Sequence, residues 1–92
     1  VPHQALFLLN NPFVRQRSRG LAERVMAWSD DEEQQVERAW WLVLSRPPST
    51  SEMSRARQFL AGTRQSESAD GRQAWTSLAW ALFSLNEMLY VD

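Results

Sequence analysis

Apolar residues recur at intervals of three and four along most of this chain, the period of an α-helix with one buried face. Nowhere do they alternate at two, as a half-buried strand requires. The first apolar run, Gln4 to Leu9, closes at Asn10-Asn11-Pro12 and reads as a short helix or turn. Pro12 disfavours helix at the residue before it and suits the first position of a new one, with Asn11 as N-cap. A long helix is expected from Pro12 to about Trp28, with Val14, Leu21, Ala22, Val25 and Trp28 on one face. Gly20 sits inside it at a cost of about 1 kcal/mol relative to Ala, which suggests a close helix crossing.

The second helix is expected to open in Ser29-Asp30-Asp31-Glu32-Glu33, where Ser29 with Glu32, or Asp30 with Glu33, fits a capping box. Its carboxylates suit the positive end of the helix dipole. Val36, Ala39, Trp40 and Val43 form its inner stripe, which Trp41 and Leu44 widen. Ser45-Arg46-Pro47-Pro48 then breaks the helix, and Ser49 with Glu52 makes a further capping box. The third helix should run to about Ala61 with Met53, Ala56, Phe59 and Leu60 inward, and stop at Gly62. Residues 63–71 are polar and without period, so a loop is expected there. The last long helix spans Arg72 to about Leu85 and carries no charge between Gln73 and Asn86, so it should be central or interface-forming. The tail from Asn86 is expected to add one more turn packed on the bundle. The expected fold is all-α, a compact bundle of four to five helices in a single domain over residues 1–92.

Composition changes this picture little. Hydrophobic residues make up 43% and Trp numbers five, enough for a core. The net charge of −1 offers no bulk attraction to nucleic acid. All ten basic residues are Arg. Arg15, Arg17, Arg19 and Arg24 read as a solvated helix face, with Arg19 and Glu23 as an i,i+4 pair, rather than as a phosphate-binding patch. No apolar stretch reaches the roughly 20 residues of a membrane span. Without Cys there is no disulfide, thiolate metal site or c-type haem attachment in this segment.

The candidate chemistry is sparse. The acidic run Asp30–Glu33 lacks calcium-loop spacing and is better explained as a helix cap. His3 has no partner nearby in sequence. Neither a nucleophile elbow nor a phosphate-binding glycine loop occurs. No catalytic, metal or cofactor residue is therefore assigned. The candidate structural or interface residues are Asn10, Phe13, Trp41, Arg46, Glu52, Trp80, Asn86 and Tyr90. Arg46 should brace the turn at its helix end by pairing with Glu52 or with an acid of the tail. Asn10 and Asn86 suit turns. Trp41 and Trp80 are the aromatics expected at an interface.

Three stretches in order carry a family resemblance: Ala5-Leu6-Phe7-Leu8-Leu9-Asn10-Asn11-Pro12-Phe13-Val14, then Leu44-Ser45-Arg46-Pro47-Pro48-Ser49 with Glu52, then Ser84-Leu85-Asn86-Glu87-Met88-Leu89-Tyr90-Val91-Asp92. Together they resemble the C-terminal region of the planctomycete PSD-one family, domain of unknown function 1553, across nearly the whole chain. Ser45 departs from the Gly expected before Arg46, and Leu85 from an Asn-Ser-Asn position. The resemblance implies a C-terminal fragment of a large secreted or periplasmic protein. The resemblance implies relatives that often carry an upstream cytochrome c-like domain, so any haem would lie outside this segment, and polysaccharide use has been suggested for them. With the chain opening at Val1 rather than Met, the segment is read as processed or cut from a longer protein. The expected function is a non-catalytic accessory interaction domain whose partners are other domains of the parent polypeptide, with homodimerisation through the last helix as a further option. The alternative is part of a carbohydrate-binding or carbohydrate-processing module that uses exposed Trp.

Overall fold

A computed structural model describes residues 11–66 and 71–90, without the side chains of residues 66 and 87–90. Among the described residues the chain is all-α, with four helices: α1 (Pro12–Trp28), α2 (Glu32–Leu44), α3 (Thr50–Ser66) and α4 (Gly71–Tyr90). The upper expectation of a fifth helix, at Gln4–Leu9, falls outside the described residues.

The helices run up, down, up and down. Side-chain contacts pin this register. Arg15 of α1 lies over Trp80 of α4, and Glu23 of α1 faces Arg72, so α1 and α4 are antiparallel. Glu32 at the start of α2 meets Arg57 and Arg64 in the second half of α3. The helix α4 packs against all three others, whereas the backbones of α1 and α3 stay apart. That central place follows from its sequence: Ala74, Trp75, Leu78, Ala79 and Leu82 are buried and no charge interrupts them. The core is completed by Leu21, Ala22 and Val25 of α1, Val36, Ala39, Trp40 and Leu44 of α2, and Ala56 and Leu60 of α3.

Local chemistry sets the boundaries. In α1, Asn11 Oδ1 accepts from the Phe13 N–H at 2.8 Å, with Pro12 in the first turn, as expected. In α2, the N-cap is Asp31, whose Oδ1 accepts from the Glu33 N–H at 3.3 Å, so neither expected capping box forms. Ser29 is already spent. Its N–H closes α1 on the Val25 carbonyl, and its hydroxyl donates to Gln34 while accepting from the Asp31 N–H. Glu32 is drawn away to α3.

Two glycine expectations are corrected. Space is open around Gly20, with nothing within 4 Å of where a Cβ would sit, so it marks no close crossing. Gly62 lies inside α3, which continues to Ser66. Its penalty of about 1 kcal/mol is outweighed by tertiary anchors, because Leu60 is fully buried and Arg64 reaches Glu32 at 2.8 Å. The first part of the expected loop, residues 63–66, is therefore helix, as is the tail through Tyr90.

Candidate functional site

The residue pair at the α2–α3 turn comes together as expected. Ser45 ends α2 in the left-handed region at φ 59°, and this reverses the chain toward Pro47 and Pro48. Arg46 then donates to both Glu52 oxygens, Nη1 to Oε1 at 2.8 Å and Nη2 to Oε2 at 2.9 Å. The Ser49 N–H donates to Glu52 Oε1 at 2.8 Å, and Ser49 Oγ accepts from the Glu52 N–H at 3.1 Å, which completes the capping box. The hydrogen bond from Arg46, then that from the Ser49 backbone, holds the Glu52 carboxyl at about 2, down from 4.5. The bond to Glu52 in turn raises the Arg46 guanidinium above its ordinary value. Both side chains are engaged in holding the turn, which makes the pair a brace.

A second polar element escapes sequence reading. Gln35 is buried between α1, α2 and α4. Its Nε2 donates to the Ser29 carbonyl at 2.6 Å, and its Oε1 accepts from Trp75 Nε1 at 2.9 Å. Position 35 adjoins the inner stripe of α2, but a Gln there carries no signal of burial until Trp75 is known to face it.

The exposed apolar side chains are unevenly placed. Phe59, in the middle of α3, is 41% exposed rather than inward as expected; of the others, Phe13 is 60% exposed, Trp41 52%, Leu42 41% and Leu85 38%. The up-down order puts all four toward one end of the bundle: Phe13 opens α1, Trp41 and Leu42 lie in the last turn of α2, and Leu85 lies late in α4. Trp28 sits at the opposite end, half-exposed, with the Arg38 guanidinium 5.3 Å from its ring centroid. Trp80 is only partly exposed, so of the two tryptophans expected at an interface Trp41 is the open one. Arg17 covers one face of Phe13 at 5.4 Å. Asn86 lies inside α4 rather than at the expected turn and is half-buried, while Asn10 and the side chain of Tyr90 lie outside the described residues. Helix α4 turns its apolar face inward and leaves Ala81 and Leu85 exposed among its described apolar residues, a small surface for dimerisation.

Between α1 and α4 lies an open cleft of about 380 Å³. Arg15, Arg19 and Arg72 line it together with Ser18, Ser77 and Trp80. Trp80 Nε1 is buried with no acceptor among the described residues. Glu23 is turned to Arg72, at 3.9 Å, rather than to Arg19. Among the described residues, no group of three or more His, Asp or Glu could hold a metal ion, and no helix is long and apolar enough to cross a membrane.

Residues 1–60 match the family model PSD1, described as a protein of unknown function (DUF1553). The chain belongs to this family. The PSD1 match takes in α1, α2 and the first part of α3, and with them the Asn11-Pro12-Phe13 cap and the Arg46–Glu52 brace. The third stretch of the resemblance, from Ser84, lies beyond the matched residues. No curated protein and no solved structure matches this PSD1 chain.

Proposed function

We propose that this chain is a non-catalytic interaction domain of a larger secreted protein of planctomycete type, and that it packs against other domains of the same polypeptide. The observation that carries this reading is that Phe13, Trp41, Leu42 and Leu85 are all exposed toward one end of the bundle. Large apolar side chains grouped on a surface favour burial against a partner, and Trp and Phe anchor such contacts most strongly. The polar chemistry gives concordant support. Glu52, Glu32, Gln35 and Asp31 each serve a cap, a brace or an interhelical tie that holds the bundle together.

The test is co-purification of the domain with the preceding region of its parent polypeptide, expressed as a separate chain. A stable complex that is lost in Trp41→Ser/Leu42→Ser is expected, with the circular dichroism of the variant unchanged. Separate elution of the two wild-type chains would refute the reading. A carbohydrate-binding role is the second reading, favoured by the exposed indole of Trp41. Glycan-array binding that disappears in Trp41→Ala would establish it in place of the first.

A further inference from the structure

We propose that the α1–α4 cleft is a binding site for an oxyanion, meaning a carboxylate, sulfate or phosphate group carried by a small molecule. The argument begins with charge. The chain as a whole is at −1, yet among the described residues three guanidiniums and no carboxylate line this cleft. Elsewhere, Arg46 is committed to Glu52, and Arg57 and Arg64 to Glu32, while Arg17 and Arg38 lie over the rings of Phe13 and Trp28. Arg15 and Arg19 have no carboxylate within ion-pair distance among the described residues. They stand four apart on one face of α1, where like charges repel by a few tenths of a kcal/mol. An anion between them removes that repulsion and gains charge-assisted hydrogen bonds.

Shape and donor chemistry agree. Small side chains at Ser18, Thr76 and Ser77 keep the space between the helices open, and about 380 Å³ lies within the range of small-molecule sites. The hydroxyl hydrogens of Ser18 and Thr76 go to the Val14 and Arg72 carbonyls of their own helices. The donors that remain for a ligand are the Arg15 and Arg19 guanidiniums, Gln73 and Ser77, while Glu23 is turned to Arg72 at 3.9 Å. Trp80 forms an aromatic wall with Arg15 4.9 Å from its ring centroid, and its buried indole N–H, which has no acceptor among the described residues, is a spectroscopic reporter on that wall. The site is independent of the apolar end of the bundle, so it stands or falls apart from the interaction-domain reading.

The experiment is an NMR titration of the arginine Nε–H and tryptophan Nε1–H signals. Sodium phosphate, sodium sulfate and sodium acetate are added in separate arms, each against sodium chloride at equal ionic strength, since screening alone moves exposed charges. Saturable shifts confined to Arg15, Arg19 and Trp80 are expected in at least one arm, and the strongest arm identifies the oxyanion. Arg15→Gln/Arg19→Gln should weaken that response by about tenfold or more, as loss of paired charge-assisted bonds does. Arg55→Gln, on α3 away from the cleft, should leave it unchanged. Ser77→Asp places a carboxylate in the cleft and should abolish the response without touching either arginine. Shifts matched by chloride, shifts spread over all the arginines, or shifts that survive both cleft variants would overturn the proposal.

Discussion

Ser45 occupies a backbone position that chemistry reserves for glycine. At φ 59° a Cβ crowds the neighbouring carbonyl, a cost of roughly 1–2 kcal/mol that Gly avoids. The family resemblance places Gly before Arg46, and the structure supplies the reason. Ser45→Gly should raise the unfolding free energy by about 1 kcal/mol in urea titration, offset in part by the freer unfolded chain. A lower midpoint would mean that the serine side chain holds the turn in some other way. One step further on, Glu52 links stability to pH. Its carboxyl titrates at about 2 when folded, against an ordinary 4.5. A depressed folded value gives stability that is complete above 4.5 and drains away as pH falls toward about 2. Glu52→Gln should therefore be less stable than the wild type at neutral pH, by roughly 0.5–1.5 kcal/mol for a cap and a partly exposed ion pair. The two should converge in acid, and a gap that is constant down to low pH would contradict this assignment.

Among the elements, legibility follows how local the cause is. The Asn11-Pro12 start of α1 and the Ser49–Glu52 start of α3 are readable because each cap is made by residues two or three apart. The start of α2 defeats sequence reading because Ser29 is claimed by the end of α1, and because Glu32 binds arginines 25 and 32 residues away. No short window along the sequence contains those partners. The end of α3 is obscured for the same reason. Gly62 is a sound local stop signal, overridden by the tertiary contacts of Leu60 and Arg64. Gly20 and Gly62, each in the interior of its helix, then become test points. At Gly20 and Gly62 nothing lies within 4 Å of the place a methyl group would take, and φ is not positive. Gly20→Ala and Gly62→Ala should each stabilise the bundle by roughly 0.5–1 kcal/mol, read as a rise in thermal midpoint. A fall in either would show that the backbone there needs glycine after all.

For the molecule as a whole, the bundle is legible in the period of its apolar residues, and α4 takes the central place that its uncharged stretch foretells. The buried tie between Gln35 and Trp75 is not legible, since its partners lie 40 residues apart. The cleft is not legible either. Arg15 and Arg19 read as a solvated face until α4 brings Trp80 and Arg72 against them. Gln35→Leu should destabilise the fold by about 1–3 kcal/mol, because it leaves the Trp75 N–H and the Ser29 carbonyl unpaired. The double variant Gln35→Leu/Trp75→Phe should cost less than the sum of the single changes. The proposed role turns on one end of the bundle being a contact surface. Hydrogen exchange compares the isolated domain with the same residues inside the longer polypeptide, and so reads that surface directly. Slower exchange is predicted at the start of α1, the last turn of α2 and the later part of α4, with the outer face of α3 unchanged. Identical exchange at that end in both contexts would contradict it.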